Sequence, residues 1–144
     1  MENSKNSQVE KNKMVCREFF HELHNKGNFS IVDDYVEPDV VSHDPFPGQA
    51  EGSKGLKKTM KIFRTAFPDM LVVIHDMIAE EDKVMTKFTV RGTHQGHFMD
   101  IAPSGKSISY EEVVILRLEN GKIVEHWAVA DALSMMQQLG AIPA

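Results

Sequence analysis

The sequence contains one cysteine, no long apolar run and no concentrated block of basic residues. A single thiol, Cys16, excludes a disulfide within the chain, and its helical context suits a small buried apolar residue better than a nucleophile. No stretch approaches the roughly 18 apolar residues that cross a bilayer, so we expect no membrane segment. The net charge of −5 argues against nucleic acid as a partner, because phosphate binding needs clustered Lys and Arg.

The length and the N-terminus predict one domain in the cytoplasm. A chain of 144 residues, 42% of them hydrophobic, is long enough to bury one core, so we treat residues 1–144 as a single domain. Residues 1–8 are polar and lack the apolar core of a signal peptide, which predicts a flexible segment and a cytoplasmic protein.

Helical spacing dominates the first half of the chain. Apolar residues recur on one face of a first segment, and a second, short helix opens at Ser30, where Asp33 completes the spacing of a capping box. Pro38 is expected to end that helix, and Ser53 to cap a third one. The predicted elements are helices over 9–25, from 30 and over 53–66, with a short strand over 39–43.

Strand patterns dominate the second half. Asn120-Gly121 is the strongest hairpin signal, and Asp131 is placed to cap a closing helix that ends at Gly140. Helices followed by antiparallel strands and one more helix predict an α+β fold, with the helices on one face of a curved, mostly antiparallel sheet. The predicted strands cover 70–79, 83–93, 107–118 and 123–129.

Alternation along the strands predicts which side chains face inward. Even positions of the 83–93 strand, among them Phe88, are apolar, and His94 continues that face. In the last strand the even positions include His126 and Ala128, and the odd ones include Trp127. We favour the even face as the inner one; the alternative has Trp127 in the core and His126 outside.

Both faces of the last strand carry apolar residues, so this part of the sheet needs cover on two sides. A second copy of the chain is the simplest cover. We therefore expect a homodimer, with Trp127 as a candidate for its interface.

Several short motifs occur in one order along the chain, and together they resemble the SnoaL-like polyketide cyclases, also called the ester cyclase family, of the nuclear-transport-factor-2-like superfamily. The resemblance covers roughly residues 12–143 and is specific to the family, not to one substrate. The motifs are His43-Asp44-Pro45, Ala66-Phe67-Pro68-Asp69, Gly92-Thr93-His94-Gln95-Gly96, Gly121 to Trp127, Asp131 and Gln138-Leu139-Gly140.

The resemblance implies a cone-shaped fold that encloses a pocket for a small hydrophobic molecule. It also implies closure of a ring in a polyketide ester by intramolecular aldol condensation. In that chemistry no metal or organic cofactor takes part, and a carboxylate serves as general acid and base. An already acidic substrate then needs one tuned base and a dry, shaped pocket.

The sequence departs from the family at one position. The family's catalytic carboxylate is an Asp two residues after the histidine of the last strand, where this chain has Ala128 after His126. Three carboxylates are candidates to replace it: Glu112, whose parity is that of the inner face; Asp44; and Asp131, for which a helix cap is the simpler interpretation. An inward Glu112 among apolar side chains would have a raised pKa, which suits a general base; a surface ion pair is the alternative.

The candidate site follows from these observations. His126 and Glu112 are the predicted catalytic residues, and the predicted substrate-binding residues are His43, Asp44, His94, Phe88 and Ala128. The spacing of His94 and His97 would suit a metal on a helix but not in a strand and loop, so no metal site is predicted. The remaining histidines, His21, His24 and His75, are placed on surfaces or element ends and given no role.

Two functions fit this sequence. One is a cofactor-free enzyme that cyclises, isomerises or hydrolyses a small carbonyl compound, which the retained histidines favour. The other is a non-catalytic carrier, sensor or oligomerisation module on the same fold, which Ala128 favours. Because one scaffold hosts both kinds of function, the choice depends on the site.

Overall fold

The structure, a computed structural model, describes residues 2–144, with the side chains of residues 6–144. Residues 2–144 form four α-helices and five strands, and a π-helical turn, His21–Asn25, extends the first helix. The helices are α1 Glu2–Phe20, α2 Ile31–Tyr35, α3 Gly52–Ala66 and α4 Ala132–Gln138. The strands are β1 Val36–Ser42, β2 Leu71–Glu80, β3 Lys83–Thr93, β4 Ser107–Glu119 and β5 Lys122–Ala130.

The five strands form one open mixed sheet in the order β1-β5-β4-β3-β2. Three neighbouring pairs are antiparallel, and β1 runs parallel to β5 at the edge. The predicted α+β class, with a mostly antiparallel sheet, N-terminal helices and a short C-terminal helix, is confirmed. No helix in residues 2–144 has both the length and the apolar character needed to cross a membrane.

Local signals in the second half of the chain are confirmed. Asn120 and Gly121 form the β4–β5 turn, with φ of 50° and 77°, the left-handed pair that a tight hairpin needs. Asp131 caps α4, because its carboxylate accepts a hydrogen bond from the Ser134 N–H at 3.1 Å. Strand β3 has the predicted bounds.

Several predicted boundaries are wrong in the first half. Helix α1 begins at Glu2, so it includes residues 2–8 of the segment expected to be flexible; Met1 lies outside the described residues. Pro38 does not end a helix but lies within β1, which is an edge strand with an irregular register, where proline is tolerated.

Two predicted helix caps are also absent. The Ser30 hydroxyl donates to Asn28 Oδ1 at 2.6 Å and makes no cap bond, although Ser30 does occupy the N-cap position of α2. Helix α3 begins at Gly52, so Ser53 lies inside it and Glu51 is the N-cap residue.

The core lies between the helices and one face of the sheet. Even-numbered residues of β3 face it, including Val84, Phe88 and Val90, each at most 2% exposed, as the alternation predicts. Cys16 is fully buried there, and burial raises the pKa of its thiol to about 12, so it is not a nucleophile at neutral pH.

Candidate active site

A cavity of about 420 Å³ lies between the helices and the inner face of the sheet. Aliphatic, aromatic and methionine side chains from α1, α3 and α4 form most of its wall, together with Phe46 and Phe98 from two loops. The polar lining residues are few: His24, Asp44, Gln49, Thr59, Tyr110, Glu112 and His126. An apolar cavity with a few convergent polar groups is the usual form of a small-molecule site.

Alternation in β4 and β5 brings the two predicted catalytic residues to this cavity. His126 and Ala128 of β5 line it, as do Glu112 and Val114 of β4. Ala128 pairs with Val114 in the sheet, so it lies between the other two. The inner face of β5 is therefore the even-numbered one.

Glu112 is a carboxyl group in apolar surroundings. Its cross-strand neighbours are Phe88 on β3 and Ala130 on β5. Among the described residues its carboxylate has no hydrogen-bond or ion-pair partner. Burial raises the pKa of Glu112 to about 7, because the charged form loses its hydration and gains no partner in exchange. Near neutral pH this group can therefore hold or release a proton.

His126 is kept neutral by the same physical effect acting on a base. Burial lowers the pKa of the His126 imidazole below its usual range, although the Asp44 carboxylate acts in the opposite direction. Its Nδ1 is buried without a hydrogen-bond partner, whereas Nε2 is not among the buried unpaired atoms. At neutral pH the ring is therefore an uncharged imidazole that can accept a proton.

These two groups are not in contact. Glu112 pairs with Ala130, and His126 pairs with Leu116, so four residues of β4 separate their positions. At ~3.3 Å per residue this places them roughly 13 Å apart along the strands. They can act on one molecule only by reaching it from opposite sides of the space beside Ala128.

His24 lines the cavity, although the sequence predicts it on a surface or at the end of an element, with no role. It belongs to the π-helical turn after α1, and its ring lies 5.7 Å from the Phe20 ring and 6.1 Å from the Phe88 ring, measured between centroids. Burial, and secondly the neighbouring His126, lower the pKa of His24 to about 4. A π-helical turn is a signal for a functional site, since such turns are frequent there. No pattern in the sequence predicts this turn.

Asp44 lies at the rim of the cavity, just beyond the end of β1. Its Oδ2 accepts a hydrogen bond from the Ala128 N–H at 3.0 Å, which ties the loop to β5. Asp131, another candidate to replace the family's catalytic carboxylate, caps α4 and is not among the lining residues.

The structure places His43 on the opposite face of the sheet. Its ring stacks on Trp127 with centroids 4.7 Å apart, and its Nε2 lies 2.7 Å from Glu125 Oε2. Glu125 also bonds to Arg117 and has its pKa lowered, first by His43 and then by Arg117. His43 thus belongs to an ion-pair network outside the cavity.

His94 and Phe88 are packed behind the cavity wall and are not among its lining residues. His94 is fully buried; its Nδ1 lies 2.9 Å from Ser104 Oγ and accepts from the Ser104 N–H at 3.3 Å. Phe88 contacts Phe20, with ring centroids 5.2 Å apart. Both positions support neighbouring elements.

No three His, Cys, Asp or Glu side chains from the described part of the chain lie close enough together to hold a metal ion. The cavity chemistry that the residues themselves offer is proton transfer, with a carboxyl group and a neutral imidazole on one wall.

Comparison with known proteins agrees with this fold. The family model of the SnoaL-like polyketide cyclases matches residues 14–139. Among relatives, the nogalonic acid methyl ester cyclase of Streptomyces nogalater is 26% identical over 118 residues, which cover 81% of this chain and 88% of that protein. The aklanonic acid methyl ester cyclase DauD of a Streptomyces species is 25% identical over 112 residues, covering 76% and 67%.

Among solved structures, AclR of Streptomyces galilaeus superimposes with a TM-score of 0.84. It is 33% identical in sequence, and the match covers 94% of this chain and 85% of AclR.

Proposed function

Since the chain belongs to the SnoaL-like polyketide cyclase family, we propose that it closes a ring in a small hydrophobic carbonyl compound without a cofactor. The observation that carries this proposal is a pair of titratable groups in the cavity, Glu112 and His126, whose pKa values burial shifts in opposite directions. Burial raises that of Glu112 to about 7 and lowers that of His126. Titratable groups set apart in this way mark the acid and the base of a site.

These directions assign the two roles. Below pH ~7 the Glu112 carboxyl keeps its proton, while His126 stays neutral above its own lowered pKa. His126 is thus the base and Glu112 the acid. The opposite assignment needs His126 as an imidazolium and Glu112 as a carboxylate before the substrate reacts, and burial disfavours both charged forms.

The proposed reaction is an intramolecular aldol addition. His126 removes a proton from a carbon between two carbonyl groups, and the electron pair stays on the substrate as an enolate. That carbon bonds to a carbonyl carbon of the same molecule, the C=O π bond breaks, and the resulting alkoxide takes the Glu112 proton. A proton then returns from His126 to Glu112 through solvent. The product is an isomer of the substrate.

Ala128 has a role in this scheme because it is small. It lies between the acid and the base on the cavity wall, so its methyl group leaves room for the molecule that both must reach. Asp44 and Gln49 are among the polar groups of the lining, and the methionines of α3 and α4 give an adaptable apolar lining.

The test uses aklanonic acid methyl ester and nogalonic acid methyl ester as probes, since relatives are named for them. We expect at least one to bind and to give a product of unchanged mass but altered retention and absorption. Ala128→Leu should abolish binding by filling the space between the two groups. Val129→Leu, on the same strand but 75% exposed, is the matched control and should bind normally.

Two results would oppose the proposal. Tight binding of both probes with no isomer formed would favour the non-catalytic carrier. Equal binding by Ala128→Leu and the wild type would mean that the ligand does not occupy this cavity.

The homodimer expected from the sequence is also proposed. Val41 and Val129 are 50% and 75% exposed, and Trp127 lies on the same outer side of the sheet, so an apolar surface is available for a second copy. Sedimentation equilibrium should give twice the 16.2 kDa chain mass. Val129→Lys should shift the protein to a monomer, and a monomeric wild type at micromolar concentration would contradict the dimer.

A further inference from the structure

Asp44 is held against the strand that carries His126. The backbone of Ser42 pairs with His126, and the next residue continues this pairing, because the His43 N–H donates to the His126 carbonyl at 2.9 Å. One residue later the Asp44 side chain takes over, accepting from the Ala128 N–H at 3.0 Å. The carboxylate is therefore fixed at the cavity rim, beside the stretch of β5 from His126 to Ala128.

The charge of Asp44 is not neutralised by a basic side chain among the described residues. Two other titratable groups lie near His126, namely His24 from the π-helical turn and His43 just beyond the end of β1, and Glu112 of β4 lies farther along the same cavity. Helices α1, α3 and α4 contribute only uncharged side chains to the cavity wall. Positive charge on either histidine opposes protonation of His126, and Glu112 is roughly 13 Å away along the strands. Asp44 is the near carboxylate.

We propose that Asp44 is a positioning residue for the acid–base step, with a carboxylate that stabilises the imidazolium formed when His126 takes a proton from the substrate. The inference rests on the proposed function for its catalytic consequence. In the step itself the proton moves from the substrate carbon to His126, and the electron pair stays on the substrate. Asp44 gains no proton and forms no bond, but its fixed negative charge opposes the cost of a buried cation.

The placement of Asp44 also explains how a buried histidine can serve as a base. Burial opposes protonation of His126, whereas an exposed carboxylate that the Ala128 N–H already holds in place needs no rearrangement when the charge appears. Because Asp44 lies on the loop between β1 and α3, this support depends on the loop remaining bonded to β5.

One test needs no substrate: the pKa of His126 is measured by titration, with NMR of the imidazole as the readout. Asp44→Asn keeps an oxygen for the Ala128 N–H but removes the charge, and we expect it to lower the pKa of His126 relative to the wild type. Asp39→Asn, which changes an exposed acid of β1 outside the cavity, is the matched control and should leave the titration unchanged. An unchanged His126 titration in Asp44→Asn would overturn the inference.

The kinetic test uses whichever probe ester the wild type isomerises. Asp44→Asn should lower kcat by about tenfold to a hundredfold, the usual range for a hydrogen bond or contact to a charged group, with a smaller effect on KM.

The two levels of the proposal fail in different ways. Full activity in Asp44→Asn, together with loss of activity in Glu112→Gln, would overturn the role of Asp44 and leave the proposed function intact. No isomerisation of either probe by the wild type would count against the proposed function. In that case, the His126 titration still decides whether Asp44 controls the charge of this ring.

Discussion

Replacing Glu112 by Gln is expected to lower kcat for ring closure by about two to four orders of magnitude, the range for loss of a general acid or base. Glutamine has nearly the same shape as a protonated glutamate, so the cavity and the binding of the ester should persist. What it lacks is a transferable proton. Steady-state kinetics on the probe ester, with substrate affinity measured separately by calorimetry, checks both halves of this expectation.

Glu111→Gln is the matched control for this change. Glu111 precedes Glu112 on β4, is exposed and faces the other side of the sheet, so its substitution should leave kcat unaltered. A Glu112→Gln variant with wild-type kcat would remove Glu112 from the acid–base site. A variant that bound poorly but turned over normally would reassign it to substrate binding.

Glu112→Gln should also change how stability depends on pH. The folded-state pKa of Glu112 is raised to about 7 from 4.5, so between these values the folded chain binds a proton that the unfolded chain has lost. Stability from this group is complete below pH 4.5 and is lost as the pH rises through 7. The interval corresponds to roughly 3 kcal/mol of unfolding free energy, at 1.36 kcal/mol for each pH unit.

The measurement is urea unfolding of the wild type and Glu112→Gln at several pH values from 4.5 to 8, with the difference between them taken at each pH. The difference isolates Glu112 from His24, whose lowered pKa of about 4 reduces stability as the pH falls below 6.5. As the pH rises, we expect the unfolding free energy of Glu112→Gln to increase relative to that of the wild type, by up to roughly 3 kcal/mol. A constant difference over this range would show that Glu112 titrates normally.

Most of the sheet could be predicted from the sequence because its signals are local. Alternation in β3, the Asn120-Gly121 turn and the Asp131 cap each depend on neighbours in the chain, and the structure has all of them. The inner position of His126 follows from the same alternation. The boundaries of the first half were harder, since Pro38 reads as a helix stop unless its strand is known to lie at a sheet edge.

The candidate site depends on contacts between distant parts of the chain, so the sequence could identify its residues only in part. The alternation of side chains along the strand predicts that Glu112 faces inward, but its separation from His126 depends on the β4–β5 register. His24 was missed because a helix continued through a π-helical turn points its last side chains in directions that 3.6-residue spacing does not give. His43 shares a motif with Asp44, yet the His43 ring stacks on Trp127 outside the cavity and only Asp44 lines it.

The claim that the cavity holds its proton on Glu112 and not on His126 is tested most directly by titrating both groups in the free protein. Carbon-detected NMR of the Glu112 carboxyl and the His126 imidazole, from pH 4 to 9, follows each site without a substrate. We predict a Glu112 pKa of about 7 and a His126 pKa below its usual 6.5, so that the proton is on Glu112 when the ring is neutral. A Glu112 pKa near 4.5, or a His126 pKa above that of Glu112, would contradict the assignment of acid and base.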